Sequence, residues 1–177
     1  MLHVSNNPGI PWSYPCDLFS IGCILVEFYT GDALFQTHDN LEHLAMMEIV
    51  MGKMPRRMVD KGSYVLSDIS EAVADCTSHK KPEFFKNHKV DYPNASVSRS
   101  SRKFLKTLRP LSGESALLSR RATLTSTDII KPINTHNKLF LDLIVRLLDF
   151  DPDSRITVSQ ALHHPYCQLD IPPPSLT

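Results

Sequence analysis

Between Asp17 and Gly31 the chain is apolar on nearly every side of a helix. Leu18, Ile21, Leu25 and Phe28 recur at helical spacing, and Phe19, Cys23, Ile24, Val26 and Tyr29 fill the remaining faces. A helix apolar all round belongs inside a domain, so the other elements are expected to wrap around this one. Asp17 is placed to cap its start, and Gly31 to supply a left-handed residue at its end.

Three further helices follow from local signals. One runs from about Asp39 to Met51; Asp39 and Glu42 have capping-box spacing, and Pro55 sets the latest end. A second covers about Asn137 to Leu148, where Phe140, Leu143, Ile144, Leu147 and Leu148 make an i, i+3, i+4, i+7, i+8 stripe. Asp151-Pro152 then breaks the chain, and a short last helix opens with Thr157 as cap and Gln160 at the box position, ending before Pro165. Residues 60–130 are less regular, with a short helix expected from about Ser98 to Leu108 and extended backbone at Lys81-Pro82 and Tyr92-Pro93. Strand signals are weak throughout, and there are no internal repeats. The expected fold class is mainly α with irregular inserts.

Composition excludes several classes. The 177 residues carry 19 Lys+Arg and 19 Asp+Glu, so no net charge draws the chain to nucleic acid or an anionic membrane. Any electrostatic partner must be read from a local patch. The four cysteines Cys16, Cys23, Cys76 and Cys167 form no CxxC pair, which argues against zinc and against a disulfide framework. Residues 1–12 lack the basic start and apolar run of a secretory signal, and the apolar stretch Ile21 to Tyr29 is too short to span a bilayer. A soluble intracellular monomer is expected. The Asn94-Ala95-Ser96 acceptor pattern carries no meaning without secretion.

Two segments resemble a known family. Asp17-Leu18-Phe19-Ser20-Ile21-Gly22 resembles the D-x-W-S-x-G pattern of eukaryotic protein kinases, with Phe19 where Trp is usual. Glu42, His43, Leu44, Ala45, Met46, Met47 and Glu48 spell EHLAMME, the string that names the LAMMER-type (CDC-like) kinases; Ile49 stands where the family continues with Arg. The stretch Leu147 to Tyr166 is similar to the closing region of the kinase C-lobe, and residues 81–96 with 101–111 to the insert of LAMMER kinases. The resemblance implies a partial kinase C-lobe over 17–166, preceded by an irregular remnant at 1–16 and followed by a proline-rich tail at 167–177. Residues 64–79 and 113–127 match nothing in the family and read as lineage-specific loops or translated intron.

The resemblance also implies which chemistry is expected. LAMMER kinases are serine/threonine or dual-specificity enzymes that use ATP and magnesium to phosphorylate Ser/Arg-rich splicing factors, in the nucleus or cytoplasm. Such catalysis needs a Gly-rich loop, a Lys–Glu pair, an HRD Asp and a DFG Asp. None of these motifs, nor APE, occurs in the sequence, and Asp149-Phe150-Asp151 has Asp where the Gly of DFG belongs. No catalytic, cofactor-binding or metal residue is therefore assigned, and the chain alone is expected to be inactive.

Two anchors are implied instead. Asp17 would be the buried carboxylate that receives backbone hydrogens from the catalytic loop, or an ordinary cap. Arg155 would pair with the APE Glu. Without that partner, Arg155 is expected to swing toward solvent or toward Asp149 or Asp153, and the lobe to lose stability. On the EHLAMME helix, Leu41, Leu44, Ala45 and Met47 or Glu48 are expected to pack inward, leaving His43, Met46 and Ile49 to meet partners. Arg99, Arg102, Lys103, Lys106 and Arg109 would make one positive helical stripe, either a solvated face or a dock for acidic or phosphorylated segments. Arg120-Arg121-Ala122-Thr123 has the form of a basophilic phosphorylation site. His43 alone, and the adjacent His163 and His164, do not suggest a metal. The alternative to a kinase fragment is a non-catalytic, kinase-derived module that binds Arg/Ser-rich or acidic proteins, with no direct nucleic-acid or membrane partner.

Overall fold

The computed structural model describes residues 14–60 apart from 38, 84–111 apart from 96, 129–130 and 134–169. The two unmatched inserts, Cys76, Lys81-Pro82, the Arg120-Arg121-Ala122-Thr123 string and the tail from residue 170 lie outside these. Among the described residues the architecture is mainly helical, as expected. Helix α1 spans Pro15–Thr30, α2 Asn40–Met51, α3 Arg99–Leu105, α4 Thr135–Leu147 and α5 Val158–Leu162, followed by a 3₁₀ turn over Pro165–Gln168. Helical backbone also covers residues 56–60. A small antiparallel hairpin joins β1, Phe85–Lys86, to β2, Lys89–Val90, in the register Phe85 opposite Val90. Asn87 and His88 make its turn, both at positive φ, as tight hairpin turns require.

The caps follow local chemistry. The Asp39 carboxylate accepts from the Glu42 N–H at 2.7 Å, Ser98 Oγ from the Ser101 N–H at 3.0 Å, and Asn134 Oδ1 from the Asn137 N–H at 2.8 Å. Thr157 and Gln160 form a complete capping box. Gly31 ends α1 at φ 84° and donates its N–H to the Glu27 carbonyl at 2.7 Å. Helix α4 begins two residues before the expected Asn137, because Asn134 is the better cap.

Two starts and ends differ from the sequence reading. Helix α1 begins at Pro15, whose ring presets φ and whose missing N–H costs nothing in the first turn. Asp17 is therefore an exposed first-turn residue rather than the cap. Helix α3 stops at Leu105, since the Thr107 N–H and hydroxyl both turn back onto the Phe104 carbonyl at 2.8 and 2.7 Å.

The main core lies between α1, α2 and α4. Leu18, Phe19 and Val26 of α1 meet Met47 and Val50 of α2 and Phe140, Leu143, Ile144 and Leu147 of α4, with Phe150 and Ile156 closing one end. Each fully buried side chain of this size contributes about 1.5–3 kcal/mol. Gly22 lets α1 and α4 approach: a Cβ there would meet Leu148 Cδ2 at 2.8 Å and Leu147 Cβ at 3.1 Å. Beneath α2 the chain is pinned by backbone bonds from Leu111 N–H to the Val50 carbonyl at 2.8 Å and from Ile130 N–H to the Leu111 carbonyl at 3.2 Å. A second, smaller cluster joins Ala45 and Met46 of α2 to Leu105 of α3, with Tyr92 and Leu108 against it.

Burial contradicts two expectations. Helix α1 is covered on one side only: Ile21 and Ile24 are nearly half exposed and Phe28 is 81% exposed. The described elements pack against Leu18, Gly22 and Val26 and leave the Ile21–Ile24–Phe28 strip bare. Helix α2 is the reverse, because the core takes one of its faces and α3 with the hairpin takes another. His43 and Met46, expected to face partners, are buried, and of the outward trio Ile49 alone stays half-buried.

Candidate functional site

Arg155 is the most elaborately held polar residue described. It sits beyond α4, two residues before the Thr157 cap, and its side chain is buried. The Nε donates to the Asp149 carbonyl at 2.9 Å; Nη2 donates to the same oxygen at 2.7 Å and to the Phe150 carbonyl at 3.3 Å. Nη1 donates to the Pro15 carbonyl at the start of α1. The guanidinium carbon lies 5.1 Å from the centre of the Phe19 ring, a cation–π contact. The expected swing toward solvent or a carboxylate does not occur. Main-chain carbonyls replace a counter-ion, and a planar fork with five donors suits three converging acceptors better than water would. Burial draws the Arg155 pKa below its ordinary value, but such a guanidinium stays charged.

The acids near it are already engaged. Asp149 accepts the Asp151 N–H at 2.9 Å, and burial, against the pull of Arg155 and Arg57, pushes its carboxyl up. Asp151 is buried, accepts from the Asp153 N–H and Ser154 hydroxyl at 3.2 and 3.1 Å, and pairs with Arg57. Asp153 does not touch Arg155. A cleft of about 450 Å³ opens beside these residues, lined by Asp142, Arg146, Asp149, Gln160, His163 and His164. In it the buried His164 accepts the Tyr166 N–H on Nδ1 at 3.2 Å, which fixes the proton on Nε2; that N–H donates to Asp142 at 2.8 Å. Burial raises the Asp142 carboxyl, but the bonds from His164 and Arg146 outweigh it and hold the pKa low. His163 instead bonds the Ser159 carbonyl at 2.7 Å. Both nitrogens of His164 are occupied, so this His–Asp pair braces the 3₁₀ turn and has no free base to offer.

On α2, His43 stacks edge-on against Phe35 with ring centres 5.2 Å apart, and burial lowers its pKa. The Glu48 carboxylate accepts the Met54 N–H at 3.2 Å, closing the end of the helix; burial raises its pKa. The basic run does not form one helical stripe. Arg99, Arg102 and Lys103 share an arc of α3, while Lys106 and Arg109 follow after the helix has ended. All five are exposed.

A sequence model of the protein kinase domain matches residues 9–167, which is most of the chain. The chain belongs to the protein kinase family. Over 158 residues it is 40% identical to the serine/threonine-protein kinase AFC1 of Arabidopsis thaliana, covering 89% of this chain and 28% of that protein. It is 37% identical over 159 residues to the dual specificity protein kinase lkh1 of Schizosaccharomyces pombe, covering 89% and 19%. It is 35% identical over 162 residues to the dual specificity protein kinase CLK4 of Homo sapiens, covering 91% and 26%. A crystal structure of another kinase domain superposes with a TM-score of 0.65 at 28% identity, covering 92% of this chain and 38% of that one. With the EHLAMME string on α2, these relatives identify the chain as LAMMER-type. It spans less than a third of the length of these curated relatives.

Kinases of this family use ATP and magnesium, and the carboxylates among the described residues do not group as a magnesium site would need. No three His, Cys, Asp or Glu side chains among them converge on a point that could hold a metal ion. Asp149 and Asp151, the pair nearest to a metal-binding sequence, spend their oxygens on backbone N–H groups, Ser154 and Arg57.

Sequence reasoning missed three contacts: His164 with Asp142, Arg57 with Asp151, and His88 with Asp60. The partners are 22 or more residues apart, and no local spacing signals them.

Proposed function

We propose that this chain is the substrate-facing scaffold of a LAMMER-type serine/threonine or dual-specificity kinase that phosphorylates Ser/Arg-rich proteins with ATP. The observation that carries this reading is the EHLAMME string, seated on a helix buried on two sides within a kinase-like arrangement. The bare Ile21–Ile24–Phe28 strip of α1 is the surface against which the rest of a catalytic domain packs in this reading. The 177 residues by themselves transfer no phosphate, because they lack the HRD and DFG carboxylates. The enzyme acts in the nucleus or cytoplasm, where these substrates occur.

The test compares the purified 177-residue chain with the product of the longest transcript from the same gene, each given radiolabelled ATP, magnesium and an Arg/Ser peptide. Incorporation by the longer product alone supports the reading. Incorporation by the 177 residues, or none by a longer product carrying HRD and DFG, overturns it. A second reading, a non-catalytic module binding Arg/Ser-rich or acidic proteins, is favoured by Arg155, whose donors are satisfied within the chain. It requires the isolated chain to melt cooperatively and to bind such a peptide.

A further inference from the structure

Charge in this neutral chain is strongly segregated. Residues 84–111 hold seven Lys and Arg (Lys86, Lys89, Arg99, Arg102, Lys103, Lys106 and Arg109) against one acid, Asp91, a net of six positive charges. The remaining 12 basic and 18 acidic residues leave six negative charges elsewhere. All seven cations are exposed. Among the described residues none of them forms an ion pair; the five pairs present join other side chains. Lys89 lies close enough to Glu48 to oppose slightly the burial that raises its pKa, and Arg102 donates to the Asn94 carbonyl at 2.8 Å. Among the described residues the other five have no side-chain hydrogen bond or ion pair.

The structure also gathers these cations onto one unit. The hairpin continues into the Asp91–Val97 loop, and the loop is tied to α3 by the bond between Tyr92 and Ser101 hydroxyls at 3.1 Å and by Arg102. Tyr92, Leu105 and Leu108 then seat the unit on Ala45 and Met46 of α2. The cations occupy what this packing leaves outside. Like charges held side by side destabilise a fold, so a surface of this kind is at a lower free energy with an anion on it.

We propose that residues 84–109 form a docking surface for an acidic, multiply phosphorylated protein segment. Phosphoserine adds close to two negative charges with three acceptor oxygens, which the Arg99 fork can meet in bidentate fashion and the lysines as point charges. The proposal rests on the kinase reading for its source of ligand: phosphoryl transfer to repeated serines makes such a segment, and the surface then retains it. Single-stranded nucleic acid fits less well, since it binds through stacked aromatic faces. Here Tyr92 is half-buried against α2 with its hydroxyl committed, and Phe104 is 38% exposed without a neighbouring platform.

The experiment measures anisotropy of a fluorescein-labelled peptide carrying several phosphoserines on the 177-residue chain, without ATP. Its unphosphorylated counterpart and an oligouridylate of equal charge are titrated alongside. The phosphopeptide is expected to bind at least about tenfold tighter than its counterpart, with affinity falling as salt rises. A variant with Arg99→Gln, Lys103→Gln, Lys106→Gln and Arg109→Gln spares Arg102, which braces the loop, and should lose about tenfold. Hydrogen exchange of the wild-type chain provides a readout independent of the variant, with protection on peptide binding confined to residues 84–109. Equal affinity of wild type and folded variant, protection elsewhere, or tighter binding of the oligouridylate overturns the proposal. Failure here leaves the kinase reading intact, because no transfer is measured; failure of the transfer assay leaves this binding to stand or fall alone.

Discussion

Helices α1 and α2 have exchanged the roles that their sequences suggest. Helix α1 is the more apolar, yet Ile21, Ile24 and Phe28 lie open. Helix α2 carries Glu42, His43 and Glu48, yet it is walled by the main core on one face and by α3 on another. Apolar content measures what a helix is able to bury; the number of elements packed on it determines what it does bury. The difference also separates stability from surface. In this chain the family string on α2 is an interior feature, and the accessible features are the α1 strip and the cations of α3.

Substitutions can break this contrast. The largest effect is expected at Met46, 1% exposed between α2 and α3: Met46→Ala should cost about 2–5 kcal/mol in urea unfolding. Arg155→Met, which strips donors from the carbonyls of Pro15, Asp149 and Phe150, should cost about 3 kcal/mol by the same measurement. Gly22→Ala should cost about 1–3 kcal/mol, because the new methyl enters the α1–α4 contact; a neutral result would mean that the two helices are further apart.

His43 sharpens the contrast through pH. Burial lowers its folded pKa below the ordinary 6.5, so the contribution is complete above 6.5 and is lost as pH falls through the window beneath it. Thermal melts across that window should show the wild type losing stability relative to His43→Phe, with parallel curves if His43 is solvated. The smallest effect belongs to Phe28→Ser, expected within about 0.5 kcal/mol of wild type. A loss at Phe28 as large as at Met46 would show that the α1 strip is covered in solution.

What could be read from the sequence was local. Asp39, Ser98, Thr157 with Gln160, and Gly31 act within three or four residues, and each stands where the spacing placed it. The stripe of α4 was legible because its periodicity is clean and its partners are many. Asp17 was misplaced because Pro15 competes for the same turn and wins. The fate of Arg155 was hidden because its acceptors are main-chain carbonyls, which every residue possesses. The hairpin escaped because two-residue strands carry no period at all. The candidate docking surface was half visible: the run 99–109 stood out, but joining it to Lys86 and Lys89 required the contacts of Tyr92.

The bond from Arg155 to Pro15 joins residues 140 positions apart, and the α4 side chains that cover α1 lie almost as far downstream. A ribosome releases the chain from its amino end, so α1 and α2 emerge long before the α4 side chains that complete their shared core. Closing so long a loop costs little more than closing a shorter one, but it cannot happen early. During synthesis Leu18, Phe19 and Val26 therefore have only the α2 side of their core until α4 follows, and any product ending before Ile144 leaves α1 without the cover that α4 gives it.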